Sequence, residues 1–158
     1  MAENGFVYLT HERLLELEHD LRDLKTTGRK EIASKIAEAR SHGDLSENAE
    51  YDAAKEEQVL HELKISKMEG MLARARVITS EQFSSGEVHI LSKIKIKNVK
   101  TEKEYSYLLV SAEEADFSQG KLAVTSPIGK GLLGKHVGDV TQIQVPAGMQ
   151  EFEILEIA

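Results

Sequence analysis

Two carboxylates, Asp44 and Glu47, stand three residues apart in the run Arg40-Ser41-His42-Gly43-Asp44-Leu45-Ser46-Glu47-Asn48-Ala49-Glu50-Tyr51. Further acids follow at Glu50, Asp52, Glu56 and Glu57, and cations flank the run at Arg40 and Lys55. Two chemistries fit this spacing. One is local: Asp44 is a helix N-cap and Glu47 reaches back to it from the third helical position, forming a capping box. The other is cation binding. Mg²⁺ takes hard oxygen ligands and keeps several waters, so one or two carboxylates from one chain suffice when a partner supplies the rest. The readings are compatible, because Glu47 can cap an amide in the free protein and turn outward in a complex. Spacing alone leaves both open.

No other constellation in the chain carries comparable chemistry. The six histidines form no HExxH or similar pair, and His42, the one beside the acids, reads as an exposed turn residue. The glycines of 129–138 lack Walker spacing and read as helix termination and tight turns. No serine nucleophile motif is present. Cysteine is absent, which removes thiolate catalysis, disulfides and Cys-ligated zinc, and fits a reducing compartment. The stretch from Met1 to Leu9 is too short and polar for a signal peptide, and no run of about 18 apolar residues suggests a membrane span, so a cytoplasmic protein with no membrane partner is expected. The net charge is −7 and neither half is basic, which argues against sequence-specific duplex binding. An acidic chain can still dock on a basic surface of a partner.

The elements that must position Asp44 and Glu47 are legible in the periodicity. The first 126 residues contain no proline, which permits long helices. Thr10 is a plausible N-cap with Glu12 in the first turn. Leu14, Leu17, Leu21 and Leu24 follow at spacings of three, four and three, a heptad seam. It resumes one step out of phase at Ile32, Ile36 and Ala39, with Gly28 in the gap. A second segment, from about residue 49 to 76, has apolar positions at Ala53, Leu60, Leu63, Met68, Leu72 and Ala75, with a slip between Leu63 and Met68. Folding the two segments together about residue 45 puts Leu24–Ile32 opposite Leu60–Met68, as matched stutters in one antiparallel coiled coil. The predicted hairpin pairs 10–40 with 46–77, and the acidic run forms its tip. A compact bundle is the alternative, but no third long helix is available to complete it.

After Ile78 the period changes to two. Strands are predicted at Val88–Leu91, Ile94–Lys97, Tyr105–Val110, Lys121–Thr125, Val140–Val145 and Phe152–Ile157. Ser126 caps a short helix with Pro127 in its first turn and Gly134 at its end. The expectation is a coiled-coil hairpin, 1–79, followed by a small α+β domain with an antiparallel sheet, 80–158.

The run from Ala37 to Glu56 closely resembles the tip signature of the GreA branch of the Gre transcript cleavage factors. Glu114-Ala115-Asp116-Phe117, with Ser126-Pro127-Ile128-Gly129-Lys130-Gly131-Leu132-Leu133-Gly134-Lys135, resembles that family's second signature. The likeness covers essentially the whole chain. It implies an FKBP-like fold for the second domain, which anchors on bacterial RNA polymerase, while the rod enters the polymerase secondary channel. The polymerase active site, not the factor, then cuts backtracked RNA. On this resemblance Asp44 and Glu47 are the catalytic pair. They hold a weakly bound Mg²⁺ shared with the polymerase, and no cofactor is tightly bound by the chain alone. Arg40 and Lys55 are implied to contact the nascent RNA 3′ end, although helix-surface solubility explains both equally well. Family members often carry Arg where Lys55 stands, which weakens the case for a forked phosphate contact there. Asn48 and Tyr51 support the tip or merely start and pack the helix. Ser126, Pro127 and Ile128 dock on polymerase or only cap a helix. A monomer is expected. The rival functions are a Gre homologue that inhibits without stimulating cleavage, a peptidyl-prolyl isomerase, and a plain coiled-coil adaptor. Retention of both tip acids argues against the first. Aromatic residues make up only 5% of the chain, with no Trp, which argues against the second.

Overall fold

The computed structural model describes residues 5–43, 48–79 and 86–158. These fall into two compact units: Glu12–Arg74, and the described residues of Met1–His11 with Ala75–Ala158.

The helical unit has one interrupted helix and one continuous one. Helix α1 spans His11–Asp23, a π-helical turn spans Leu24–Gly28, and α2 spans Arg29–Ser41. Helix α3 runs unbroken over Ala49–Ala73. The π-turn is the physical form of the expected phase slip. Leu24 to Ile32 is eight residues where a heptad allows seven, and a π-turn absorbs one surplus residue. Both halves of the first arm of the hairpin thereby face the same seam, with Leu17, Ile32 and Ala39 at 3%, 6% and 3% exposure.

The second expected slip does not exist. The inward positions of α3 are Tyr51, Ala54, Gln58, His61, Ile65 and Met68, at spacings of three, four, three, four and three, followed by Met71 and Leu72, three and four residues beyond Met68. Leu60 and Leu63 point outward at 60% and 61% exposure, as does Ala53. Following apolar residue types alone missed a regular seam, because Gln58 and His61 occupy two of its positions.

The other unit is built on a five-stranded sheet in which, from one edge to the other, 121–123, 104–110, 93–98, 148–157 and 140–145 lie side by side. Its strands are β3 Lys93–Asn98, β4 Glu104–Val110, β5 Lys121–Ala123, β6 Val140–Val145 and β7 Gly148–Ile157. In β3 the period-two rule holds: Ile94 and Ile96 are buried while Lys93 is exposed and Lys95 and Lys97 lie half-buried on the other face. They pack with Leu109, Leu122, Leu132, Ile143, Phe152 and Ile154 into one core. Each such buried side chain contributes about 1.5–3 kcal/mol. Helix α4, Pro127–Leu132, covers part of that face. A Cβ at Gly129 would collide with the carbonyl of Ala123, so this glycine serves close packing rather than helix termination.

Three expectations are corrected here. The sheet is mixed, because the short β5 runs parallel to β4. Val88–Leu91 is a turn rather than a strand: Leu91 adopts φ +71°, and the amide of Ser92 returns to His89 O at 3.1 Å. The boundary at residue 79 also shifts. Two strands that lie within 1–79, β1 Val7–Leu9 and β2 Ala75–Val77, pair in parallel and belong to the sheet unit. The amide of Tyr8 donates to the buried Ser111 hydroxyl at 2.9 Å, which fastens β1 there. No helix among the described residues is long and apolar enough to cross a membrane.

Candidate functional site

Asp44 and Glu47 lie outside the described residues, between Gly43 and Asn48 in sequence. The residues on either side of them form a closely connected end to the hairpin.

Helix α3 starts with Asn48 as its N-cap, at φ −92° and ψ 97°. The Asn48 side chain bonds in two directions. Its Oδ1 accepts the amide of Tyr51 at 3.0 Å, and its Nδ2 donates to the carbonyl of Ala39, in the last turn of α2, at 2.6 Å. One half-buried amide thus caps one helix and ties it to the end of the other. The N-cap of α3 is thus Asn48, and the capping box of Asp44 and Glu47, one of the two readings left open by their spacing, falls on residues outside the described ones. Sequence reasoning named Asn48 as tip support but did not find its bond to Ala39, since a pairing nine residues apart leaves no periodic trace.

A second link joins the helices on the outside. His42 Nδ1 lies 2.6 Å from Glu50 Oε2, with both side chains about half exposed or more. His42 is therefore an exposed turn residue with a specific partner. Arg40 places its guanidinium 5.9 Å from the ring centre of Tyr51. That stacking holds a cation beside the hairpin end, on a ring that the seam keeps half-buried. Lys55 is exposed, and its Nζ donates to Gln58 Oε1 at 2.9 Å. Behind these residues Ala39 of α2 and Ala54 of α3 are both buried and line one shallow pocket. Lys35 pairs with Glu57 at 2.8 Å, a hydrogen bond that raises the lysine pKa above its ordinary value.

Ser126, Pro127 and Ile128 belong to the sheet unit and are described by themselves. The Ser126 hydroxyl accepts the amide of Gly129 at 3.1 Å and donates to Ala123 O at 2.6 Å, so the capping role is present. Pro127 is exposed at the first turn of α4. Ile128 packs on the core. The same unit gathers aromatic residues that are scattered in sequence. Tyr105 and Tyr107 stack at 6.1 Å, Phe117 lies 6.1 Å from Tyr107, and Phe152 meets Tyr105 edge-on at 6.5 Å. Burial pushes the Tyr107 hydroxyl pKa up. A separate cavity of about 490 Å³ has Phe6 and Tyr8 for aromatic walls, both from the N-terminal segment. Among the described residues, no group of three or more His, Cys, Asp or Glu is placed to hold a metal ion.

Two family models together span nearly the whole chain. The family described as "Transcription elongation factor, N-terminal" matches residues 7–77, and "Transcription elongation factor, GreA/GreB, C-term" matches residues 83–158. "Transcription elongation factor GreA" of Amoebophilus asiaticus is 52% identical over 151 residues, 96% of each chain. The protein of that name from Flavobacterium psychrophilum is 53% identical over 150 residues, 95% of each chain. Among solved structures, the transcription factor Gfh1 is 27% identical and covers 96% of this chain and 97% of its own, with a TM-score of 0.46. A GreA/GreB factor from Nitrosomonas europaea is 27% identical over 68% of this chain and 93% of its own, with a TM-score of 0.43.

Proposed function

The chain belongs to the GreA/GreB family of transcription elongation factors, and from that membership we propose that it stimulates cleavage of backtracked nascent RNA by bacterial RNA polymerase. The hairpin enters the polymerase secondary channel and brings Asp44 and Glu47 to the active site. The polymerase performs the cleavage, and the protein alone leaves RNA intact. The chain is a cytoplasmic monomer, and Pro127, held by the cap at Ser126 and by the packing of Ile128, is part of its docking surface on polymerase.

One observation carries the reading of the tip. Asn48 caps α3 and ties it to α2, so neither Asp44 nor Glu47 is needed as the N-cap of that helix. The donor set fits a hard cation: two carboxylates are part of a coordination sphere, and the polymerase and water complete it. A Mg²⁺ ion bound there supplies activation of the attacking water and neutralisation of developing charge on the phosphodiester. The chain's own residues do the following. Asp44 offers a carboxylate oxygen as ligand. Glu47 orients the ion's water or adds a second oxygen. Arg40 presents its guanidinium, and Lys55 its ammonium, to phosphates of the RNA 3′ end.

The test is RNA shortening in a stalled elongation complex with Mg²⁺, beside a competition-binding assay. Asp44→Asn keeps side-chain volume and removes the charge. It is expected to reduce cleavage steeply, leave polymerase binding nearly intact, and recover in part at raised Mg²⁺. Glu47→Gln acts in the same direction. Full cleavage by Asp44→Asn refutes the metal role. A binding loss equal to the cleavage loss assigns the carboxylate to the partner instead.

A further inference from the structure

The apolar pattern of the hairpin demands one surplus residue between Leu24 and Ile32 but does not say where it goes. A π-turn anywhere in that interval would return Ile32, Ile36 and Ala39 to the seam, because each residue of an α-helix turns about 100° and one extra residue must be absorbed somewhere. The structure holds the π-turn at one place, Leu24–Gly28.

Contacts made by the turn and by the facing helix select that place. His61 Nε2 lies 2.7 Å from the carbonyl oxygen of Leu24. A carbonyl only accepts, so Nε2 carries the hydrogen. A π-turn interrupts the regular ladder and tilts carbonyls outward, where a side chain can reach them. Gly28 makes room for the ring: a Cβ there would stand 2.5 Å from His61 Cε1 and 2.9 Å from Nε2. Thr26 Oγ1 donates to Arg22 O at 2.8 Å, a bond of the kind that bends helices at this point. Directly after the turn, Arg29 forks onto Glu62 at 2.9 and 3.0 Å.

We propose that His61 is a positioning residue: its bond to Leu24 O, admitted by Gly28, pins the π-turn and so holds α2 and the hairpin end beyond it in one orientation. Without the pin the surplus residue migrates within 24–32. Each placement turns a different set of the intervening side chains outward and bends the helix at a different point. This inference rests on the proposed role of the hairpin end in cleavage.

The experiment has two independent readouts on the full-length protein: amide hydrogen exchange across 22–33 in the free protein, and stimulated cleavage titrated against factor concentration. His61→Leu keeps apolar volume and loses the donor. Exchange across 24–30 should accelerate about fivefold to tenfold, the equivalent of one hydrogen bond. Maximal cleavage at saturating factor should fall severalfold while the half-saturating concentration stays within about twofold, since the pin lies outside the docking surface. His61→Gln places an amide donor where Nε2 stood and should restore both readouts. Gly28→Ala should resemble His61→Leu, although alanine is the better helix former. Deleting Thr27 in the His61→Leu background returns Leu24 to Ile32 to a seven-residue spacing, removes the need for a π-turn, and should restore cleavage. Unchanged exchange in His61→Leu overturns the pin. Glutamine behaving as leucine does the same. Faster exchange with undiminished maximal cleavage overturns the positioning role. If the native protein itself stimulates no cleavage, the proposed function fails, and the exchange data alone decide whether the π-turn is pinned.

Discussion

Replacing Asn48 with alanine removes two hydrogen bonds made by one side chain, and their sizes can be separated. Loss of an N-cap costs about 1 kcal/mol, within a range of about 0.5–2. Loss of the bond from Nδ2 to Ala39 O costs about 1 kcal/mol more, the net worth of one ordinary hydrogen bond, since that oxygen keeps the amide of His42 at 3.2 Å. The expected loss for Asn48→Ala is therefore about 2 kcal/mol. For a unit of 60–100 residues, 1 kcal/mol moves the melting midpoint by about 4–8 °C, so the helical signal should melt roughly 8–16 °C lower. Asn48→Asp separates the two contributions. Its carboxylate still accepts the Tyr51 amide, but it cannot donate, and it sets an oxygen against the Ala39 carbonyl. It should lose about 1 kcal/mol or more despite being a good cap. Rotating the asparagine amide by 180° would put hydrogen against hydrogen at Tyr51 and oxygen against oxygen at Ala39, so the assignment of its two atoms follows from the partners. The assay is circular dichroism at 222 nm through thermal and urea unfolding. An Asn48→Asp protein as stable as the native one refutes the link between helices. An Asn48→Ala protein within about 0.5 kcal/mol of native refutes the cap as well, since that is the ordinary scatter of surface substitutions.

Two other predictions concern the seam and its charges. Ile65→Ala should cost about 2–4 kcal/mol in urea unfolding because Ile65 is 2% exposed, whereas Leu63→Glu, two residues away at 61% exposure, should stay within about 0.5 kcal/mol. The reverse order would return the seam to Leu60 and Leu63. Glu62 titrates below the usual carboxylate range because Arg29 hydrogen-bonds it. Its contribution is therefore present above the unfolded carboxylate pKa and disappears as pH falls through the depressed folded value. Between neutrality and about pH 3, the urea midpoint of Glu62→Gln should fall less than that of the native protein, and 1 M salt should narrow the difference. Equal falls would mean that the forked pair stores no measurable stability.

Much of this arrangement is readable from residue types, and the misses share causes. The sheet strands around Ile94, Ile96, Phe152 and Ile154 announce themselves because one face is buried and the other wet, which writes a period of two. Helix α4 is equally plain, since Ser126, Pro127 and Gly134 are local signals. Strands β1 and β2 were not found. Each has three residues, and their parallel pairing joins positions nearly seventy apart, so neither propensity nor a turn marks them. Val88–Leu91 has a strand's composition, but its buried member, Val88, is held by bonds with Gly134 and Lys135, which no local pattern foretells. At the hairpin end the acids and cations were visible from type and spacing, while the links that organise their surroundings, Asn48 to Ala39 and His42 to Glu50, are cross-helix contacts without periodicity.

The seam of α3 carries the sharper lesson. Apolar residue types alone predict two matched slips, and only the one in the first helix exists. Gln58 and His61 were passed over because polar residues are costly at inward positions unless their groups find partners. His61 has such a partner in the Leu24 carbonyl, a group that the surplus residue in the opposing helix makes available. A polar residue in a coiled-coil seam typically gives up stability and fixes register in exchange. Here it does so against a π-turn, so the irregularity on one helix and the polar residue on the other explain each other. The slip in the first helix was the trace of this pairing in the sequence. Its match is a histidine, which leaves no slip in the apolar pattern of α3.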